Sequence, residues 1–208
     1  MRLLKCLFAW RVRYPNWEKF TQVISVALFD RRPVVIVTHD ICMAAGNRPG
    51  RGNELLAEAL KHVSDLFPDI PILATIPVVL AAEMKGVKVT VVIHPPHCDT
   101  PMDRSTMEYN SKTVVEAQKR WLIERGQFPA LALALTTPFH MPRVKWIMEK
   151  EGFEVLPIPL PTPRQFDYMD RNSLYFSVRV AARVPGGLLL AYGRELCARL
   201  LFFWKGWI

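Results

Sequence analysis

The chemistry-bearing side chains fall in a few short stretches. One is Leu135-Thr136-Thr137-Pro138-Phe139-His140-Met141-Pro142-Arg143, where an apolar run ends in two hydroxyls and leads to a histidine and an arginine. Imidazole exchanges a proton near neutral pH, and a guanidinium fork grips carboxylate or phosphate through two parallel hydrogen bonds. Pro142 suits the first position of a helix, and a start at Pro138 with Thr137 as N-cap also fits; either way free N–H groups favour an anion there. His140 is therefore a candidate acid or base, and Thr136, Thr137 and Arg143 are candidate ligand contacts. The plainer reading pairs Arg143 with Glu83 or Glu116 and packs His140 against a sheet.

A second stretch, Thr38 to Arg51, holds Thr38, His39, Asp40, Asn47 and Arg51. Asp40 could hold a hydroxyl or act as a base, and Arg51 could meet a phosphate. Gly46, Gly50 and Gly52 form neither a dinucleotide fingerprint nor a phosphate loop. A solvated loop with Asp40 capping a turn is the competing reading. In His94-Pro95-Pro96-His97-Cys98-Asp99 the residue types suit zinc. Histidines three apart on an extended, proline-stiffened segment do not obviously converge, so no metal is expected, and His94 either lines a pocket or sits in a plain loop. Thr75, at the end of an apolar run, adds a hydroxyl. Glu83 and Glu116 could act as base or ligand holder if their helices start at one sheet edge; alone, each reads as a surface or salt-bridged residue. Thr113, in a first helical turn, either contacts ligand or bonds backbone.

These residues need a scaffold, and the apolar pattern supplies one. Buried-strand runs at Pro33–Thr38, Pro71–Thr75, Val89–Ile93, Leu131–Leu135 and Glu154–Pro157 alternate with helix-period segments at Asn53–Phe67, Pro77–Lys85, Ser111–Arg125 and Pro142–Glu151. Gly86, Gly126 and Gly152 follow three of those helices as stops. The alternation predicts an α/β fold: a three-layer, Rossmann-like domain with a mainly parallel sheet of about five strands. Pro157 places the last strand towards an edge. The core spans 33–171, with a basic, aromatic helical extension at 1–32 and two helices over 172–208 broken near Val184-Pro185-Gly186-Gly187. The connection His94–Asn110 is long for a compact domain and reads as functional.

Half of the 208 residues are hydrophobic and 22% are charged, which excludes a disordered or fibrous chain. The net charge of +8 favours anionic partners such as nucleotides or phosphorylated metabolites. The positive charges are spread out and no nucleic-acid module is recognisable, so no nucleic-acid partner is expected. Four scattered cysteines (Cys6, Cys42, Cys98, Cys197) and the lack of a signal-peptide pattern predict a reduced, cytoplasmic protein. Leu200-Leu201-Phe202-Phe203-Trp204 with the basic residues 2–32 could touch anionic lipid. The expectation is that these aromatics complete the core, leaving weak membrane contact at most.

The Thr136–Arg143 segment, followed by Gly152-Phe153-Glu154-Val155-Leu156-Pro157-Ile158-Pro159, resembles the YdcF/SanA/ElyC family. Its members show a strand ending in Thr-Ser, a His-Met-x-Arg helix start and a short Gly-x-x-Val-x-Pro strand. Glu83 with Gly86-Val87, the spacing of Asn110, Thr113 and Ala117, and the closing Arg194-Glu195 and Gly206-Trp207-Ile208 extend the likeness over roughly 33–208. Thr38-His39-Asp40 and Thr75-Ile76-Pro77 stand where the family carries glycine-rich loops, and Lys112-Thr113-Val114-Val115-Glu116 replaces its Asn-Thr-x-Glu-Asn, marking a divergent branch.

The resemblance implies a Rossmann-like fold, a small-ligand site with links to S-adenosylmethionine or to cell-envelope maintenance, and no settled reaction. Together with the charge, it leads to a small-molecule enzyme or binding protein, conceivably a transferase. Its nucleotide-like, S-adenosylmethionine-like or phosphorylated ligand would lie at the carboxyl edge of the sheet. The alternatives are a non-catalytic envelope factor at the cytoplasmic membrane face and a metal-dependent hydrolase acting through His94, His97 and Asp99.

Overall fold

The computed structural model describes residues 22, 24, 33–39, 43–44, 48–93, 111–137, 140–158, 160 and 187–206. Strand β1 (Val35–Thr38) is buried along its whole length. It pairs in parallel with β4 (Ile72–Thr75) on one side and β6 (Leu131–Leu135) on the other. Beyond them lie β5 (Val91–Ile93) and β7 (Glu154–Ile158), also parallel, so the order is β5-β4-β1-β6-β7. The fold is α/β, as the alternation predicts. Pro33 and Pro71 fall just outside the strands expected to include them, because a proline ring has no N–H to give. Pro157 pairs with Ala134 in edge strand β7, where the other side needs no donor. The loop after β1 carries a small antiparallel ladder, β2 (Met43–Ala44) against β3 (Arg48–Pro49).

Successive strand side chains point to opposite faces, so each strand feeds two cores. Ile36, Ile72, Ala74, Leu133 and Leu135 join Leu56, Leu60 and Val63 of α1 (Arg51–Leu66) and Val78 and Ala82 of α2 (Ile76–Glu83). Ile24 is buried in this same cluster. Val35, Val37, Leu73, Ala132 and Ala134 pack on the other face. They meet Val114 and Leu122 of α3 (Ser111–Ile123), Val144 and Ile147 of α4 (Met141–Lys150), and Phe202 of α5 (Gly187–Trp204). Strands covered on both faces must be apolar throughout, and these are.

One expectation about the tail fails. The terminal aromatics do not complete the core as a group: Phe202 enters it, whereas Phe203 and Trp204 are 59% and 82% exposed. The first of the two expected C-terminal helices, and the extension expected at 1–32 apart from residues 22 and 24, lie outside the described residues.

Helix α4 ends at a left-handed glycine. Gly152 has φ +93°, its N–H bonds Glu149 O, and the Phe153 N–H bonds Met148 O, which satisfies carbonyls the helix leaves open. A Cβ at Gly152 would stand 3.3 Å from the Phe128 ring, whereas one at Gly126 (φ +63°) would meet open space. Ala at either position takes on a left-handed backbone cost of about 1–2 kcal/mol. Gly152→Ala should lose more than Gly126→Ala in urea denaturation; equal losses would show that the Phe128 ring yields freely.

Candidate functional site

The strand order sets where a ligand could sit. Counting only the main-sheet strands in chain order gives 3-2-1-4-5, so the winding reverses between β1 and β6. In open parallel sheets the crevice at the carboxyl ends beside such a reversal binds ligands. Four of the expected ligand contacts end or follow these two strands: Thr38 and His39 on β1, Thr136 and Thr137 on β6. Thr75 ends the neighbouring β4. All five are buried.

Their hydrogen bonding is incomplete. The His39 backbone N–H bonds Leu135 O at 3.1 Å, and the Thr136 hydroxyl donates to His39 O at 3.0 Å, tying the two strand ends together. Among the described residues, the side-chain atoms Thr38 Oγ1, Thr75 Oγ1, Thr137 Oγ1 and His39 Nε2 are buried without a hydrogen-bond partner. Gln118 of α3, which lies in that helix's apolar stripe, is buried at 0% exposure with neither amide atom bonded. It lies near enough to His39 to favour a charged ring, although the approach falls short of a hydrogen bond. Folded proteins leave few buried polar atoms unpaired, so a cluster of them at one sheet edge is a functional signal.

His140 precedes α4 and stands with its ring 6.4 Å from that of His39, edge to face. The Thr137 carbonyl accepts from the His140 and Met141 N–H groups. His140 Nε2 and Ser111 Oγ, at the start of α3, are 2.9 Å apart. Both imidazoles are held neutral. Burial pushes His39 down to about 3, with a small opposing effect of Gln118 and a further lowering by Arg143. Burial also pushes His140 well below the usual histidine range, helped by Arg143, His39, Arg194 and Arg199. Which of the two donates is set by the tautomer of the His140 ring.

The Arg143 fork, expected to face a ligand, faces Glu195 of α5 instead. Nε and Nη2 donate to the two carboxylate oxygens at 2.9 and 3.1 Å. Arg199 Nε adds a 3.4 Å contact to Glu195 Oε1, and the Arg143 guanidinium lies over the Phe202 ring. Neither Glu83 nor Glu116 is its partner. Glu83 is exposed at the far end of α2 from Thr75, and Glu116 pairs with Lys112 on its own helix. Arg51 pairs with Glu54 at 2.8 Å and is half exposed. Thr113 lies in the first turn of α3.

Asp40, Asn47, His94, His97, Cys98, Asp99 and Asn110 lie outside the described residues. Among the described residues, no three His, Cys, Asp or Glu side chains are grouped to hold a metal. Two surface clefts of about 500 and 570 Å³ open at the opposite, amino-terminal edge, one beside Leu131 and Glu154, the other beside Ile72 and Thr90. Glu149 and Glu154 line the first and Lys61, Ser64, Asp65, Lys88 and Thr90 the second, but the buried side-chain atoms without a partner lie at the carboxyl edge and on Gln118, and we take that edge as the site.

No family model, curated protein or solved structure matches this chain. The site rests on its own geometry. Sequence reasoning missed Ser111, Gln118 and the Glu195–Arg199 pair. Gln118 was detectable as the amide in an otherwise apolar stripe, and Glu195–Arg199 as an i,i+4 pair inside an apolar tail.

Removing one partner of a buried ion pair leaves the other uncompensated, at a cost of about 3–5 kcal/mol. Glu195→Ala should show a loss of that order in urea denaturation, and Glu195→Leu with Arg143→Met should recover most of it. A loss below about 1 kcal/mol, the range of solvated surface pairs, would mean that the pair is solvated. The histidines predict acid sensitivity. Both bind protons more weakly folded than unfolded, so stability is complete above about pH 6.5 and falls as the unfolded chain takes up protons, for His39 down to about pH 3. The slope is at most about 1.4 kcal/mol per pH unit per histidine. His39→Gln should flatten this acid limb, and an unchanged limb would show His39 to be solvated.

Proposed function

We propose that this chain binds a small anionic molecule at the carboxyl edge of its sheet, between β1 and β6, and belongs to the YdcF-like class. The observation that carries the reading is the set of unpaired buried polar atoms on three adjacent strand ends, Thr38, His39, Thr75 and Thr137. In a protein evolved only for stability, such atoms would be bonded or replaced by carbon. A ligand with hydroxyl, carbonyl or phosphoryl oxygens would satisfy them.

The charge preference follows from the surroundings of His140. Arg143, Arg194 and Arg199 all disfavour a proton there, and Glu195 is the carboxylate set among them. A field that repels a proton attracts an anion. Arg143 thus contributes charge through space while its fork stays on Glu195. Nucleotide-like and phosphorylated compounds fit this field, whereas S-adenosylmethionine, with a sulfonium and an ammonium against one carboxylate, is a net cation and fits it less well. If the protein is an enzyme, His140 is the group to move a proton, with Ser111 as its hydrogen-bonded neighbour.

A thermal-shift screen of anionic metabolites tests the reading. One compound should raise the melting temperature with the logarithm of its concentration, by about 2.7 kcal/mol of stabilisation at a hundredfold excess over its dissociation constant. Thr137→Val, which removes an unpaired hydroxyl, should leave the free protein equally or more stable yet weaken that ligand about two- to tenfold, the worth of one neutral hydrogen bond. Ligand binding indifferent to both Thr137→Val and His39→Gln would place the site elsewhere.

A further inference from the structure

Helix α5 is turned against its own composition. Its charged pair, Glu195 and Arg199, is buried at 6% and 1% exposure, bonded towards Arg143 of α4. Leu189, Leu196, Leu200 and Phe203 recur every seven or four and three residues along its outer side and are 39–75% exposed. Leu190, Leu201 and Trp204 widen that stripe into a broad apolar face. A contiguous apolar face of this kind marks a docking surface.

Three observations choose the occupant. Glu195 is the helix's one carboxylate and is buried, whereas Arg194 and Lys205 are exposed, so the outward face is apolar and cationic without an exposed acid. A two-fold pairing with a second copy would bring cationic faces together. The face is also wider than the two-in-seven seam that pairs helices in a coiled coil. Finally, Ile24 is buried in the core cluster of α1 and α2, on the opposite layer from α5, so this part of the N-terminal segment does not cover the stripe. No described helix is long and apolar enough to cross a membrane. A helix with a wide apolar face, exposed arginine and lysine, and a tryptophan at its end fits the plane of an anionic bilayer surface.

We propose that α5 is an interfacial membrane anchor, lying with its Leu189–Leu196–Leu200–Trp204 face in the headgroup region of a bilayer that contains anionic phospholipid. The buried Arg143–Glu195 pair is then the clamp that holds the helix apolar side out. This inference stands apart from the ligand reading, and the two fail separately.

The test is flotation of the full chain with phosphatidylglycerol–phosphatidylcholine vesicles and with phosphatidylcholine alone. Partitioning should be strong only with the anionic lipid and should fall as salt rises. Leu200→Ser with Trp204→Ser changes exposed side chains; it should cut partitioning at least about tenfold with circular dichroism and melting temperature unchanged. Arg194→Glu should cut it about fivefold or more, the order expected for one basic residue at such a surface. No flotation with either lipid overturns the proposal, as does flotation that the Leu200/Trp204 variant leaves intact. A concentration-dependent dimer that the same variant converts to monomer, without vesicle binding, would assign the face to a second copy instead.

Discussion

The parallel pairing of β1 with neighbours on both sides governs where polar groups can gather in this fold. Because β4 and β6 both run beside β1, the chain winds outward first in one direction and then in the other. Parallel strands need helical crossovers, and the connections on the two sides of β1 leave the sheet in opposite directions. Beside β1 and β6 no crossover can cover the carboxyl ends, and the polar residues that terminate the strands collect there. Thr38, His39, Thr136 and Thr137 are brought together by this reversal, although about a hundred residues separate the two pairs.

Electrostatics at that edge is set by burial more than by any single charge. Each histidine is neutral chiefly because a charged ring would lose its hydration, and the nearby guanidiniums push the same way. The Arg143–Glu195 pair lives under the same rule. Taking two ions from water costs several kcal/mol each, so only the two-point geometry with Arg199 in support makes the arrangement tenable. Such a pair adds little net stability and much orientation. It fixes α5 against α4 and so brings Arg194 and Arg199 to join Arg143 within electrostatic reach of His140.

That orientation has a cost visible on the outer side of α5. Burying one leucine fully is worth about 1.5–3 kcal/mol relative to exposing it. Turned by half a revolution, α5 would bury several leucines and release its charges to water, and surface area alone favours that arrangement. The observed helix does the opposite because the inward positions match Arg143 and the aromatic slot filled by Phe202. One feature of packing thus accounts for both the clamp and the exposed face of α5.

Local pattern was enough for the elements. Apolar runs of four to five residues, prolines at strand margins and glycines after helices act over a few residues, so the five strands, four core helices and their stops were legible within one or two positions. The Thr-Thr…His segment could likewise be placed at a strand end, because a buried apolar strand must surface where polar residues begin. Partner choice was not legible. Arg143 could pair with any of several carboxylates, and the selection of Glu195, 52 residues away, depends on how α4 and α5 cross. Which hydroxyls would be orphaned, which serine would reach His140, and which side of α5 would face water all depend on distances between elements. Those distances follow from packing the whole chain into two cores, and sequence periodicity carries no information about them.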